Sequence, residues 1–191
     1  GRGATELSAD VQARRAAFRF EPTPGSAIGA PTADWLFLHP RIGASWRLRP
    51  ALTLFSSLGR SRREPTRSDL FAGADDLDAS NAGDLLPLDR VRPETLTDLE
   101  AGVRVSRGRV AGAANLFLMS FRDEIAPIGT ISATGSPLRR NVDRSSRIGV
   151  EVEAELRASG SLLLSGNLTV MRARIAGRAP SPPRGGGGFW W

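Results

Sequence analysis

Polar and apolar residues alternate most clearly between Arg147 and Arg157. One side of this period-two pattern holds Ile148, Val150, Val152, Ala154 and Leu156, and the other holds Arg147, Gly149, Glu151, Glu153, Glu155 and Arg157. On a helix the same glutamates would be spread around the whole circumference. Alternation of this length therefore predicts a β-strand.

The same period recurs in other parts of the chain. Residues 7–14, 41–48 and 98–105 alternate, and Leu52, Leu54 and Leu58 follow the second of these segments. Residues 110–123 and 162–175 read as strands with mixed faces. The phase slips near Arg15, which predicts a β-bulge there.

The connections between these segments alternate in length. Those at 49–51, 106–109 and 158–161 are short, whereas those at 21–34, 61–96 and 124–146 are long. Tight turns at one end and long loops at the other are typical of outer-membrane barrels. A tilted strand of about ten residues covers roughly 23 Å, close to the ~25 Å apolar band of such barrels. The predicted fold is all-β: an antiparallel, up-and-down transmembrane β-barrel segment, with about seven strands of a larger barrel.

Aromatic residues lie near the predicted strand ends. Phe18, Phe20, Trp35 and Phe37 flank one long connection, and Trp46 lies near a short one. Amphipathic rings favour the membrane interface, so these residues fit an aromatic belt. Ordinary core aromatics are the alternative, and the sequence leaves both open.

Composition narrows the class of protein. Of the 191 residues 40% are hydrophobic, yet no apolar run approaches the roughly 18 residues of a membrane-spanning helix. The absence of cysteine excludes disulfides and thiolate metal sites. The net charge is +6, and the chain contains arginine but no lysine.

The two ends of the chain differ from its middle. The chain begins at Gly1 without a secretion signal, so we expect part of the protein to precede it. Prolines and glycines in residues 176–191 disfavour a lipid-facing strand. We therefore expect a partial barrel over residues 1–175 and a Pro/Gly-rich tail over 176–191, which is disordered or comes from a truncation or frameshift.

Four stretches resemble the TonB-dependent receptor family, in the family's order. They are residues 40–48, residues 59–71 with Arg63-Glu64-Pro65-Thr66, residues 92–102, and residues 140–144 with 149–153. The resemblance implies a plugged 22-stranded barrel that takes up a scarce, bulky ligand such as a siderophore or cobalamin. It also implies energy from the TonB complex and ligand binding by outer loops and a plug. The plug and the TonB-binding segment match nothing in this chain, and the lack of tyrosine departs from the family.

The candidate ligand-facing residues are the arginines of the second stretch: Arg60, Arg62, Arg63 and Arg67. Guanidinium groups suit an anionic ligand or lipopolysaccharide phosphates. Pairing with nearby aspartates is the alternative. Asp75, Asp76, Asp78 and Asp84 suggest calcium, but their spacing does not match a calcium-binding loop, and a solvated acidic loop is favoured.

Other polar residues favour structural roles. His39 is the only histidine, which excludes a histidine cluster and favours a satisfied residue at a strand end. Glu151, Glu153 and Glu155 share one face and fit a solvated barrel lumen better than a catalytic pair. No catalytic constellation, cofactor site or metal site is predicted, so the chain is not expected to be an enzyme.

The leading hypothesis is a receptor fragment in the outer membrane. Its expected partners are outer-membrane lipid, the TonB complex through the absent plug, and a small-molecule ligand such as a metal chelate. The alternatives are a soluble, basic, all-β binding module and a β-sheet enzyme. Nucleic acid is not expected as a partner, because the arginines are dispersed among acids and lack a stacking motif.

Overall fold

The computed structural model describes residues 4–22, 24–26, 32–71, 91–131, 135 and 137–176. The elements are β1 (Thr5–Arg19), β2 (Thr32–Arg49), β3 (Leu52–Arg63), α1 (Arg67–Phe71), β4 (Glu94–Arg107), β5 (Val110–Ile131), β6 (Pro137–Arg157) and β7 (Leu163–Ala176). No helix among these residues has the length and apolar character needed to cross a membrane.

The strands form one seven-stranded antiparallel sheet in the order β1 to β7. Each strand pairs with the next in sequence, so the chain runs up and down without a crossover. This confirms the all-β, up-and-down fold. Within the described residues, β1 and β7 are the edges of the sheet and each leaves one side unpaired.

The two faces of the sheet differ in chemistry. One, here called the apolar face, aligns Ile42, Leu58, Leu99, Leu118 and Ile148 in one register row across five neighbouring strands. All five are exposed. The other, here called the α1 face because it carries α1, is mainly polar. Glu151, Glu153 and Glu155 lie on this second face, as their alternation predicts.

The two ends of the sheet also differ. Turns of two residues at 50–51 and 108–109, and a connection at 158–162, join strands at the short-turn end. At the opposite, long-loop end the chain connects β1 to β2 through residues 20–31 and β3 to β4 through residues 64–93, and the described part of the second connection includes α1. The predicted alternation of connection lengths is therefore confirmed for these connections.

The third connection at the long-loop end is different from the prediction. Residues 124–146 are not a loop, because β5 runs to Ile131 and β6 begins at Pro137. Beyond Arg122 and Arg144 these strands pair only with each other, forming a two-stranded ribbon that extends past the rest of the sheet. The ribbon does not alternate apolar and polar residues, so the period-two pattern gives no signal for it.

The predicted bulge near Arg15 is wrong. The register between β1 and β2 is continuous from Thr5 to Arg19, and the polar Arg15 is matched on its own face by Asp34. The register shifts lie instead between Arg47 and Arg49 in β2 and between Pro127 and Ile131 in β5.

The buried core is small and lies at the long-loop end. Leu70 and Phe71 of α1 pack with Val91 and Ile125, and Phe18 and Phe20 pack against this cluster. Phe37 is also buried. For Phe18, Phe20 and Phe37 the core alternative is therefore correct, whereas Trp46 is exposed on the apolar face as a belt residue would be.

Glycines on the α1 face accommodate phenylalanines of the neighbouring strands. A Cβ atom at Gly102 would lie 2.5 Å from the Phe55 ring, and one at Gly149 would lie 2.5 Å from the Phe117 ring. Each phenylalanine is the direct cross-strand partner of its glycine. A ring lying over a strand glycine protects the exposed backbone and helps fix strand register.

Candidate functional site

The long-loop end of the α1 face contains the densest set of polar contacts and the only buried acids of the described residues. The four arginines predicted to face a ligand lie there or next to it, but the structure does not bring them together. Arg60 is exposed on the apolar face, and Arg67 is exposed at the start of α1. The guanidinium of Arg62 lies over the ring of Phe37, 5.3 Å from its centroid.

Arg63 is held by two carboxylates. Its Nη1 donates to Asp69 at 3.1 Å, and its Nη2 donates to Glu94 at 3.4 Å. Glu94 also accepts the backbone N–H of Ile125 at 3.0 Å, and Arg139 lies 3.8 Å from Asp69. Arg63 thus follows the alternative that the sequence left open, since it pairs with acidic neighbours. These contacts connect β3, α1, β4, β5 and β6.

Thr66 and Asp69 fix the start of α1. The backbone N–H of Thr66 donates to the Asp69 carboxylate at 2.9 Å, and the N–H of Asp69 donates to the Thr66 hydroxyl at 3.3 Å. This reciprocal arrangement is a capping box with aspartate in the acidic position. Asp69 therefore satisfies the helix backbone and two arginines at once, although its side chain is only 4% exposed.

Glu64 connects the end of β3 to β1. Arg14 donates through Nη1 and Nη2 to the two Glu64 oxygens, at 2.6 Å and 2.5 Å. This pair reaches over β2, which lies between β1 and β3. The pKa of Glu64 is lowered below its ordinary value of 4.5, chiefly by the hydrogen bonds from Arg14, which outweigh the effect of partial burial.

A second buried acid, Glu124, lies at the base of the ribbon. It accepts a hydrogen bond from the Ser145 hydroxyl and pairs with Arg147 at 2.5 Å. The Arg147 guanidinium also stacks on Phe121, 4.2 Å from the ring centroid. Strict alternation from Arg122 would place Glu124 on the apolar face. Asp123, with a φ of 56°, turns it to the α1 face, so sequence periodicity missed this residue.

Asn141 holds the ribbon base to the residues before β4. It accepts the Arg92 N–H at 2.9 Å, and it donates to the carbonyls of Arg92 at 2.8 Å and Asp123 at 2.7 Å. Arg92 also pairs with Asp123 at 2.8 Å. Arg92 and Asn141 belong to two of the stretches that carry the family resemblance, so the structure gives those stretches a structural role.

The remaining polar candidates form no catalytic arrangement. His39 lies within β2 and not at its end, and its buried Nε2 has no hydrogen-bond partner in the described part of the chain, so the expected satisfied strand-end histidine is wrong. Across the described ranges, no three His, Asp or Glu side chains are placed to hold a metal ion. Asp75, Asp76, Asp78 and Asp84 lie outside the described residues.

The site is a sheet with one apolar and one polar face, and the segment that contains α1 is held on the polar face at the long-loop end. The buried acids hold arginines of the same chain, so they shape the loop and do not present free charge. The exposed polar residues of the α1 face are available to a solvated interior or to a bound molecule.

Comparison with known proteins points to one family. A family model described as TonB dependent receptor-like, beta-barrel matches residues 5–191. Residues 177–191, within this match, lie outside the described residues. No curated protein sequence matches the chain.

Solved structures share the fold. "Copper transporter OprC" matches with a TM-score of 0.70 at 17% identity, over 90% of this chain and 27% of that one. The siderophore receptor PirA from Pseudomonas aeruginosa matches with a TM-score of 0.57 at 18% identity, over 87% of this chain and 32% of that one. The FrpB iron transporter from Neisseria meningitidis (F3-3 variant) matches with a TM-score of 0.57 at 16% identity, over 88% of this chain and 24% of that one. The chain therefore spans between 24% and 32% of the length of these structures.

Proposed function

Since the chain belongs to the TonB-dependent receptor-like β-barrel family, we propose that it forms part of the barrel wall of an outer-membrane receptor for a scarce, bulky ligand. The whole receptor takes this ligand, such as a metal chelate, across the outer membrane. It draws energy from the TonB complex through a plug that matches nothing in this chain.

The observation that carries the proposal is the contrast between the two faces of one continuous sheet. Exposed leucine, isoleucine and valine residues occupy successive rows of the apolar face on every strand. A soluble protein rarely exposes an apolar surface of this extent. Lipid on the apolar face and an aqueous lumen on the α1 face satisfy both surfaces. The same contrast disfavours a soluble basic binding module.

The orientation follows from the two ends of the sheet. In outer-membrane barrels the short turns face the periplasm and the long connections face outward. The long-loop end, with α1 and the ribbon, then lies at the cell surface. In this orientation, α1 and the charged residues that hold it lie where an incoming ligand first meets the receptor.

Ligand contact by Arg60, Arg62, Arg63 and Arg67 stays a prediction. The ion pairs of Arg63 favour a role in holding the loop. Arg67 is exposed on α1, four residues after Arg63. The division into a barrel part over residues 1–175 and a tail over 176–191 also stays a prediction, with β7 ending at Ala176.

The test uses the intact gene that contains this chain. The product is expected in the outer-membrane fraction, and uptake of labelled metal chelates by cells carrying it should exceed uptake by cells without it. Deleting the TonB gene should abolish the difference while surface binding remains. A product found only in the soluble fraction, or uptake that is unchanged without TonB, would refute the proposal.

A further inference from the structure

The apolar face carries a group of exposed arginines near its long-loop end, where its apolar rows stop on β3 to β7. Two residues outward from the row of Leu58, Leu99 and Leu118, the register aligns Arg60, Thr97, Ser120, Ser146 and Arg174. Two residues further outward, Arg122 and Arg144 are direct cross-strand partners. Arg172 lies one row inward on β7, as the direct partner of Ile148. These residues are here called the arginine belt: Arg60, Arg122, Arg144, Arg172 and Arg174.

The belt lacks protein counter-charges. All five arginines are exposed, and none forms an ion pair within the described part of the chain. Across the seven-stranded part of the sheet, the one carboxylate on this face is Asp34, which is paired with Arg15. On the α1 face, in contrast, Arg14, Arg63 and Arg147 each pair with an acid. The chain therefore supplies acidic partners to these three arginines of the α1 face but to none of the five arginines of the belt.

The direct opposition of Arg122 and Arg144 is unfavourable by itself. Like charges facing each other across antiparallel strands repel, and an anion between them reverses the effect. Ser120 and Ser146 form the adjacent cross-strand pair on the same face and add hydroxyl donors. Two guanidinium groups with neighbouring hydroxyls suit a phosphate, whose oxygens accept bidentate, charge-assisted hydrogen bonds.

We propose that the arginine belt binds the phosphate groups of a phosphorylated lipid in the outer leaflet, with the lipid's acyl chains lying on the apolar rows next to it. The inference rests on the proposed outer-membrane location. It adds a binding site on the lipid side of the wall, separate from any site for the transported ligand. The occupant is a lipid and not a free anion, because the apolar rows continue directly from the arginines.

The test measures binding of diphosphoryl lipid A to the intact receptor purified from outer membranes and exchanged into detergent. The test variant combines Arg60→Gln, Arg122→Gln and Arg144→Gln. The control is Arg107→Gln, because Arg107 is also exposed on the apolar face but lies at the short-turn end of β4. Native mass spectrometry counts the bound lipid, and a titration gives its dissociation constant.

The triple variant should bind diphosphoryl lipid A at least about tenfold more weakly, since several charge-assisted hydrogen bonds are lost. The Arg107 variant should bind diphosphoryl lipid A as tightly as the natural receptor does. Dephosphorylated lipid A lacks the phosphates, so the natural receptor should bind it about as weakly as the triple variant binds diphosphoryl lipid A. Unchanged binding by the triple variant, equal loss in the Arg107 variant, or equal binding of both lipids would each overturn the proposal.

Two checks keep the result interpretable. Heat-dependent migration in gels reports whether each variant forms a folded barrel, and the single variants Arg122→Gln and Arg144→Gln carry the test if the triple variant does not fold. Outer-membrane insertion and ligand uptake are measured on the same samples. A natural receptor that is not inserted refutes the proposed function, whereas an inserted receptor with unaltered lipid binding in the variants refutes only the belt.

Discussion

Single polar residues at the long-loop end serve several partners at once. Asp69 caps α1 and faces two arginines, and Asn141 makes three hydrogen bonds at the ribbon base. Such side chains cost little when buried because their hydrogen-bonding capacity is filled. Their removal would leave several groups unsatisfied, so these positions are more sensitive than exposed charges nearby.

Gly149 offers a test of close packing at the scale of one residue. A methyl group there would meet the Phe117 ring at 2.5 Å and the Val170 carbonyl oxygen at 2.6 Å. We expect Gly149→Ala to destabilise the folded receptor by about 1–3 kcal/mol through overpacking. Thermal unfolding in detergent measures the effect. Gly166→Ala is the matched control, because nothing lies within 4 Å of its added carbon, and an equal loss in both variants would contradict the packing argument.

Periodicity predicted which face most strand residues occupy, but it failed where the backbone departs from regular geometry. The glutamates of β6 lie on the expected face, whereas Glu124 does not, because the positive φ of Asp123 changes the alternation. The hydrophobic pattern of the sequence does not reveal a positive φ at one residue, so this change of face could not be predicted. The partners of Arg63 were also beyond sequence reasoning, since Asp69 and Glu94 meet it only through the fold.

Among the elements, α1 is the one whose existence depends most on tertiary contacts. It has five residues, too few to be stable alone. Its capping box, the ion pairs of Asp69 and the burial of Leu70 and Phe71 hold it on the sheet. A helix of five residues is too short to show a periodic signal in the sequence, so the pattern predicts a loop for the whole segment.

Asp69→Ala should release α1 from the sheet. The variant loses the cap and leaves Arg63 and Arg139 without this carboxylate, which we expect to cost roughly 1–3 kcal/mol locally. Trypsin cleavage after Arg67 in the intact receptor reports the release and should become several-fold faster. Asp143→Asn is the control, because the Asp143 side chain is 79% exposed. Cleavage of Asp69→Ala at the natural rate would show that α1 is held by other contacts.

The Arg14–Glu64 pair should make the attachment of this loop depend on pH. Because the pKa of Glu64 is lowered in the folded protein, its contribution is present above the ordinary value of 4.5 and is lost as the pH falls through the lowered pKa. Hydrogen exchange of residues 64–71, followed as the pH is lowered, measures this loss after correction for intrinsic rates. Glu64→Gln should exchange faster near neutral pH and approach the natural protein at acid pH. Parallel curves at all pH values would exclude this role for Glu64.

At the scale of the whole molecule, the sheet formed by the described residues has two unpaired edges. β1 and β7 each leave a row of backbone groups unpaired, and the apolar face adds a large exposed surface. Sheet edges and apolar surfaces of this kind promote association between chains. The alternation of residues and of connection lengths is enough to predict this architecture. The ribbon contains arginines, prolines and glycines without a period of two, so its sequence predicts a loop.

The 191-residue chain alone should therefore not fold as a soluble monomer. In detergent-free buffer we expect aggregation, visible as light scattering and as broad amide resonances. The same chain with detergent should show more strand in circular dichroism. A sharp, dispersed amide spectrum from a monomer in plain buffer would contradict the exposed-edge argument.

The ribbon at the top of β5 and β6 has a practical consequence for studying the receptor on living cells. It pairs with no other strand, and it is held by Asn141, by the buried Ile125 and Leu138, and by the ion pair between Arg139 and Asp69 of α1. A short peptide tag placed between Ile131 and Pro137 would lengthen only the tip, where insertions are best tolerated. Antibody staining of such a tag on unbroken cells would report how many receptors reach the surface without disturbing the wall beneath.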